Sequence, residues 1–234
     1  MYFEREASTA NYSEKRDLLH EEFAIPVDAP EWLRTIAADP SAARASEAFW
    51  NRVENFEERL DAQLAKDVTL ALPIELTSDQ NIALVREFVE QHVLGNGMVA
   101  DWVYHNPPGN PHAHLMMTLR PLTVQGFGAK KIKVVSTDGT PRRSPNGRIV
   151  YRNWVGGLSE FNAFRDGWFA CQNRHLALAG LDLRIDGRSF ERQGIDLEPI
   201  IRFSAETKAI ERRIEREETP VFRKPKSIEL QAVK

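Results

Sequence analysis

The hydrophobic positions along the chain change between a helical and a strand period, which predicts a mixed fold. From residue 41 to residue 66, apolar residues recur every three or four positions between Glu and Arg residues, as on an amphipathic helix. Residues 67–73 are instead apolar and β-branched and end in a proline, which predicts a strand. The polar cluster 77–80 opens a second helix with good N-cap residues, and Gly-Asn-Gly at 95–97 closes it.

The second half of the chain predicts paired strands and then a long helix. Apolar runs at 98–104 and 113–119 flank a loop rich in Pro, Gly and Asn, which is typical of two strands joined by a turn. Segments 132–135 and 148–151 flank Asp-Gly and Asn-Gly pairs and predict a hairpin. Residues 159–178 predict a helix. Its residues expected to face inward are Phe161, Phe164, Trp168 and Leu176.

These elements predict the α+β class, with helices flanking an antiparallel or mixed sheet. We also expect a short strand at 181–185 and a charged helix at 204–218. The first thirty residues are polar and show no strong period. The sequence therefore predicts one domain over residues 1–218, followed by an extended or disordered tail over residues 219–234.

Composition excludes several classes of protein. The 234 residues are 42% hydrophobic and include 12 Phe and 5 Trp, which is enough for a sizeable core. No apolar run approaches the roughly 18 residues of a membrane span, and the N-terminus lacks the apolar core of a signal peptide. Cys171 is the single cysteine, which excludes a disulfide framework. We expect a cytoplasmic protein without a membrane partner.

Positive charge is concentrated in one segment, although the chain carries a net charge of −3. Residues 120–152 hold eight basic side chains and one acidic side chain, a local charge of +7. Such a strip attracts a polyanion through counterion release, whereas a solvated basic hairpin is the simpler interpretation. The candidate DNA-binding residues are Arg120, Lys130, Lys131, Lys133, Arg142, Arg143, Arg148 and Arg152.

Three of the six histidines lie within ten residues. His112 and His114 are two apart, so on a strand both rings leave the same face, and His105 ends the preceding strand. If the two strands pair, three imidazoles form a divalent-metal site with open coordination positions. Imidazole suits Mn, Zn, Ni and Co alike. The alternative is a set of unrelated surface histidines, which this spacing disfavours.

Two carboxylates are candidates for a supporting or catalytic role near this site. Metal-bound imidazoles usually donate their second N–H to a carboxylate or carbonyl. Asp67 opens a neighbouring predicted strand and is the first candidate, and Glu75, just past that strand, is the second. Either residue is equally compatible with a solvated surface charge.

The histidine cluster and several longer segments resemble the HUH endonucleases, specifically the plasmid mobilisation relaxases of the MobA/MobL group. The segment GNPHAHLMMTLRPL at 109–122 is similar to the TraA-type conjugal transfer members. Segments 45–77, 81–93 and 187–199 agree with this resemblance, which covers most of residues 1–218.

The resemblance implies an antiparallel sheet of about five strands with flanking helices, and a divalent metal held by the three histidines. Mn or Mg is the expected ion, with Zn, Ni and Co as alternatives. The implied activity is nicking of single-stranded DNA at a plasmid transfer origin, in which a tyrosine attacks phosphorus. The basic strip would then hold DNA backbone, with Phe127, Tyr151 or Trp154 available for base stacking. Other proteins of the transfer apparatus are further expected partners.

The sequence departs from the family pattern at its N-terminus. Relaxases of this group carry their nucleophilic tyrosine in an Ala-Ala-Tyr-Arg-like segment that follows the first strand, and neither Tyr2 nor Tyr12 lies in such a motif. We therefore expect the first strand of the sheet to be missing, which would leave an unpaired edge.

Four hypotheses follow from these observations. The first is a relaxase domain that nicks transfer-origin DNA, and the second is a metal- and DNA-binding protein of the transfer system without catalysis. The third is a phosphodiesterase in which a metal-bound water attacks, with Asp67 or Glu75 as the base. The fourth is a scaffold module that binds neither metal nor DNA.

Overall fold

A four-stranded antiparallel sheet forms the centre of the protein. The structure, a computed structural model, describes residues 18–59 and 61–196. The strands follow the spatial order β1-β3-β4-β2. Their bounds are β1 Leu18–Ala24, β2 Ala65–Ala71, β3 Ala100–His105 and β4 His112–Thr118. The expected α+β class and antiparallel sheet are confirmed, with four strands in the main sheet of the described residues.

One face of the sheet carries the main hydrophobic core. Side chains alternate between buried and half-buried along β3 and β4, as expected for strands with one face fully covered. Trp102, Tyr104 and Leu115 are each at most 1% exposed on this face. They pack against helices α3 (Ser78–His92) and α4 (Leu158–Leu178).

Helix α3 begins at the predicted polar cluster. Thr77 and Gln80 form a capping box, in which the Thr77 hydroxyl accepts from the Gln80 N–H and the Gln80 amide oxygen accepts from the Thr77 N–H. The next apolar residues, Leu84, Val85 and Phe88, lie fully buried against the sheet. Local sequence signals and the structure therefore agree on where this helix begins.

A second core covers part of the opposite face of the sheet. Helices α1 (Glu31–Ala37) and α2 (Ala42–Phe56) supply most of it, with Phe49 at its centre. Met116 of β4 packs against this core, whereas the histidines at the other end of the same face remain half-buried. Among the described residues, the histidine end of this face lies outside the second core, and we call it the open end of the sheet.

The basic segment forms the predicted hairpin. Strands β7 (Lys131–Lys133) and β8 (Tyr151–Asn153) pair antiparallel, and isolated bridges extend the pairing towards the turns. Gly139 has a φ of 80°, as its Asp-Gly turn requires. A smaller pair, β5 (Leu122–Thr123) with β6 (Gly126–Phe127), connects the main sheet to this hairpin.

Several predicted boundaries are wrong. The first predicted helix ends at Phe56 rather than residue 66, because Glu57 turns into extended backbone and its side chain bonds to Arg120. Residues 181–185 form no strand, since the Asn173 amide bonds both the N–H and the C=O of Ile185. Strand β1 lies in a stretch for which the sequence pattern predicts no element.

The predicted inward face of α4 is partly wrong as well. Trp168 and Leu176 are buried and Phe164 packs against the main core, but the Phe161 side chain is 47% exposed. Phe161 lies in the first turn of α4, before the helix reaches the sheet core.

The described residues belong to two units that divide after Gly187. The described part of the second unit contains one short helix, α5 (Phe190–Gln193), capped by Ser189. The predicted helix 204–218 and the tail 219–234 lie outside the described residues, so the domain bounds stay a prediction.

Candidate metal centre and basic hairpin

The three clustered histidines face one another at the open end of the sheet. His105 ends β3 and pairs with His112 at the start of β4, while His114 pairs with Val103. The ring centroids lie 5.5 Å apart for His105 and His112, 5.6 Å for His105 and His114, and 5.2 Å for His112 and His114. Strand pairing therefore brings together the three imidazoles that the sequence predicts as ligands.

This spacing suits a shared divalent ion. A metal–nitrogen bond of about 2.1 Å places each ring centre roughly 3.2 Å from the ion, and tetrahedral angles then separate the ring centres by about 5.2 Å. The observed centroid separations of 5.2–5.6 Å are close to this value. The donor set of three imidazoles thus fits a metal ion with open coordination positions.

Outer contacts orient two of the rings. The Nδ1 atom of His112 lies 2.8 Å from the carbonyl oxygen of Asn110, so Nδ1 is the protonated nitrogen and Nε2 keeps its lone pair. The Nδ1 atom of His114 lies 3.4 Å from the hydroxyl of Thr69, a longer and weaker contact. In His112 the carbonyl on Nδ1 therefore makes Nε2 the nitrogen that can bind a metal.

The two predicted carboxylates lie at different places relative to this centre. Asp67 is exposed on β2 and pairs with Met116, so it shares the histidine face but lies two residues before Thr69, which pairs with His114. Glu75 is exposed in the loop between β2 and α3. The structure therefore gives the position beside His114 to Thr69, which the sequence did not suggest.

Asp101 is a half-buried carboxylate that sequence reasoning missed. It lies on the histidine face of β3, where it accepts hydrogen bonds from the Ser46 hydroxyl and from the Trp50 indole N–H at 2.7 Å. Burial raises the pKa of Asp101 above its ordinary value, although these two hydrogen bonds act in the opposite direction. Asp101 thus attaches α2 to the sheet at an electrostatic cost.

We expect Asp101→Asn to gain stability relative to the wild type as the pH rises. Because the folded pKa of Asp101 lies above the unfolded one, the folded protein binds this proton more tightly. Its stability therefore falls as the pH rises from the unfolded pKa through the folded pKa. Denaturant unfolding of both proteins between about pH 4 and pH 8 measures the difference. Asp182→Asn, at an exposed position, controls for loss of an acidic charge, and a pH-independent difference for Asp101→Asn would contradict the expectation.

The eight predicted DNA-binding residues fall into two groups. Arg120 and Lys130 both contact the Glu57 carboxylate at 2.7 Å. The other six side chains are exposed on the hairpin and its strands. These six are Lys131, Lys133, Arg142, Arg143, Arg148 and Arg152.

The aromatic candidates for base stacking differ in exposure. Phe127 is buried in the second core, where its ring packs against Phe49 and Phe56, so it is unavailable to DNA. Tyr151 is 50% exposed on β8, and Trp154 is half-buried just after that strand. Stacking on this hairpin would therefore involve Tyr151 before any other residue of the three.

The histidines lie at the first end of β4, and the hairpin follows its last residue in the chain. The seven residues from His112 to Thr118 span about 20 Å at roughly 3.4 Å per residue, and the hairpin begins beyond Thr118. At the roughly 3.4 Å axial spacing of nucleotides in one strand of B-DNA, this distance corresponds to about six nucleotides.

A second group of metal-binding residue types lies between α3 and α4. Ligand atoms of Glu87, Cys171 and His175 all lie within 4.8 Å of one another. However, His175 bonds one Glu87 oxygen at 2.6 Å and Arg174 bonds the other. Burial raises the pKa of the Cys171 thiol to about 11, so the thiol is neutral at physiological pH. These contacts favour an ion-paired link between the two helices.

The tyrosines of the described residues also differ in accessibility. Tyr104 is 1% exposed in the main core, whereas Tyr151 is half exposed. Tyr2 and Tyr12 lie outside the described residues.

Comparison with known families identifies the family of this chain. A model of the MobA/MobL family matches residues 1–213, more than nine-tenths of the sequence. The chain belongs to the MobA/MobL family. The resemblance to TraA-type conjugative relaxases that the sequence indicates is thereby confirmed.

This MobA/MobL chain is similar to curated conjugal transfer proteins. It is 69% identical over 213 residues to a probable conjugal transfer protein TraA of Sinorhizobium fredii, covering 91% of this chain and 19% of the relative. It is 61% identical to the conjugal transfer protein TraA of Agrobacterium fabrum, covering 93% of this chain and 20% of the relative. The chain thus spans about a fifth of the length of these relatives.

A solved structure shares the fold. The structure, from work on the molecular basis of vancomycin resistance transfer in Staphylococcus aureus, aligns with a TM-score of 0.59 at 29% sequence identity. The alignment covers 76% of this chain and 79% of that chain.

Among the described residues of our protein, no helix has the length and apolar character needed to cross a membrane.

Proposed function

We propose that this chain binds a divalent metal ion and single-stranded transfer-origin DNA as part of the nicking domain of a conjugative relaxase. The observation that carries the proposal is the convergence of His105, His112 and His114 at the open end of an antiparallel sheet in a MobA/MobL chain. The exposed basic hairpin supports the DNA-binding part of the proposal.

The three histidines would hold the metal through imidazole nitrogens, and in His112 this nitrogen is Nε2. The Asn110 carbonyl and the Thr69 hydroxyl orient the His112 and His114 rings, which reduces the rearrangement that binding requires. When bound, a divalent ion would act as a Lewis acid that stabilises negative charge on the non-bridging oxygens of a phosphate. Neutral imidazoles leave most of the ion's positive charge available for this purpose.

The exposed cations of the hairpin would hold the DNA backbone. Arg142, Arg143 and Arg148 lie in the segment that connects β7 to β8. When these side chains neutralise phosphates, counterions are released from the DNA. A strand that contacts both the hairpin and the histidines must extend along the length of β4. We therefore expect oligonucleotides longer than about six nucleotides to bind more tightly than shorter ones.

Strand cleavage would proceed by transesterification to a tyrosine. The tyrosine hydroxyl gives up its proton as its oxygen bonds to phosphorus, the bond from phosphorus to the 3′ oxygen breaks, and the 3′ oxygen takes up a proton. The products are a 5′ phosphotyrosine ester and a free 3′ hydroxyl. Tyr2, Tyr12 and Tyr151 are the candidates in this chain, because Tyr104 is buried.

An adduct assay tests the nicking activity. The protein is incubated with Mn²⁺ and single-stranded oligonucleotides that tile the DNA beside its gene, and denaturing gels detect a covalent protein–DNA adduct. An adduct that is lost in one of Tyr2→Phe, Tyr12→Phe and Tyr151→Phe supports the proposal and identifies the nucleophile. Cleavage without an adduct favours attack by water, with Asp67 or Glu75 as the base. Binding without cleavage restricts this chain to holding metal and DNA.

A charge series tests the role of the hairpin. We expect replacement of Arg142, Arg143 and Arg148 by Gln to weaken binding of single-stranded DNA. We also expect it to reduce the slope of log K against log salt by about two, since each lost phosphate contact contributes about 0.7. Replacing the exposed Arg34, Arg59 and Arg165 by Gln makes the same change in net charge away from the hairpin. Equal loss of affinity in both triple variants would contradict a specific role for the hairpin.

A further inference from the structure

Glu57 is an acidic residue at the base of the basic hairpin. It follows the last residue of α2, and its side chain is only 8% exposed. Its two oxygens accept from Nε and Nη2 of Arg120 at 2.7 and 3.0 Å, and Nζ of Lys130 lies 2.7 Å away. The Arg120 guanidinium also lies over the Phe56 ring, at 5.1 Å from its centroid. One buried carboxylate thus holds two cations of the basic strip.

Each of these cations also donates a hydrogen bond to a backbone carbonyl. Nη1 of Arg120 donates to the carbonyl of Gly128 at 2.9 Å, just before β7. Nζ of Lys130 donates to the carbonyl of Gln63, in the segment that leads into β2. The carbonyl of Lys130 accepts from the Trp154 N–H at 2.7 Å, which closes the hairpin beyond β8. Glu57 is therefore connected to both strands of the hairpin where they leave the protein.

The electrostatics of this cluster favour a fixed geometry. The hydrogen bonds from Arg120 lower the pKa of Glu57 despite its burial, and Lys130 acts in the same direction. A bidentate Arg–carboxylate contact has a defined orientation, unlike a single hydrogen bond from a flexible Lys side chain. Removing one partner from such a cluster leaves a poorly solvated charge and frees the other partners to move.

We infer that Glu57 is a positioning residue for DNA binding, which holds the basic hairpin in its binding orientation through Arg120 and Lys130. The inference rests on the proposed function, since it concerns the surface that binds DNA there. The inference predicts that removing this negative charge weakens DNA binding, which is the opposite of the usual effect. Removing a negative charge from a basic surface strengthens DNA binding by electrostatics alone, whereas loss of this cluster weakens it.

The test compares Glu57→Gln with Glu58→Gln in the full chain. Both variants remove one negative charge, but Glu58 is exposed. We expect Glu57→Gln to weaken binding of single-stranded DNA by about tenfold, and Glu58→Gln to bind as well as the wild type or slightly better. Hydrogen exchange at the Trp154 and Val134 amides should accelerate in Glu57→Gln and stay unchanged in Glu58→Gln, because these amides bond within the hairpin.

Arg120→Lys provides a second variant if Glu57→Gln does not fold. It keeps the charge but cannot bond both Glu57 oxygens and the Gly128 carbonyl, so we expect weaker DNA binding and faster exchange at the same amides. Equal or tighter binding by Glu57→Gln, or weaker binding without faster exchange in the hairpin, would overturn the inference alone. A wild-type protein that does not bind DNA would contradict the proposed function as well.

Discussion

His112→Ala should abolish divalent-metal binding while leaving the protein folded. The substitution removes one of three imidazoles whose centroids lie 5.2–5.6 Å apart, and the two remaining rings cannot surround an ion in the same way. Loss of an outer-shell partner alone typically weakens metal binding by about 10–100-fold, so we expect loss of a ligand to exceed about 100-fold. His112 is half-buried at a strand end, outside both hydrophobic clusters, so the fold should survive. Calorimetric titration with Mn²⁺, together with circular dichroism, measures both effects.

Three matched variants show whether the histidine cluster is the metal site. His20→Ala removes a histidine that bonds to Glu22 and packs on Trp102, and it should leave Mn²⁺ affinity unchanged. Thr69→Val removes the 3.4 Å contact to His114 and should weaken binding by about tenfold or less. Cys171→Ser probes the alternative group with Glu87 and His175. Loss of binding in Cys171→Ser and retention in His112→Ala would move the metal to that second group.

Phe88→Ala should reduce the free energy of unfolding by about 3–5 kcal/mol, the usual cost of removing a buried aromatic ring. Phe88 is fully buried on α3, where its ring meets Trp168 at 4.9 Å and Phe164 at 4.8 Å between centroids. The cavity would lie where α3 and α4 pack together on the sheet, so neighbouring side chains have little freedom to fill it. Urea unfolding followed by tryptophan fluorescence gives the difference in free energy.

Phe161→Ala is the matched control for this loss of stability. It deletes the same ring from α4, but the Phe161 side chain is 47% exposed. We expect a change near the roughly 0.5 kcal/mol typical of surface substitutions. Similar losses in the two variants would mean that the burial of these two aromatic residues differs from that in the structure.

The histidine cluster was predictable because its members are local in sequence. Two strands joined by a short loop bring their ends together, and the His-x-His spacing places both rings on one face. Residues that act on this cluster from another strand were less predictable. Thr69 meets His114 only because β2 pairs with β4 in one particular register, and shifting that register by one residue would turn Thr69 to the other face.

The basic hairpin shows the same division between local and distant effects. Its turns follow from Asp-Gly and Asn-Gly, and its charge can be counted from the sequence. The sequence did not show which of these cations form ion pairs within the protein and which are exposed. Arg120 and Lys130 are occupied by Glu57, a residue that the helical period assigns to the interior of a longer helix.

The sequence by itself determined the α+β class, the start of α3, the histidine cluster and the family, because each depends on residues close together in the chain. Tertiary structure alone decided the edge strand β1, the end of α2 and the chain after α4. In β1, Glu22 is compensated by Arg86 at 2.7 Å, and His20 packs on Trp102. Glu57, just after α2, bonds to Arg120, and Asn173, five residues before the last residue of α4, bonds to Ile185. Polar side chains of this kind depart from the local hydrophobic pattern, and their hydrogen-bond partners lie elsewhere in the chain. The periodicity of the sequence therefore does not reveal their roles.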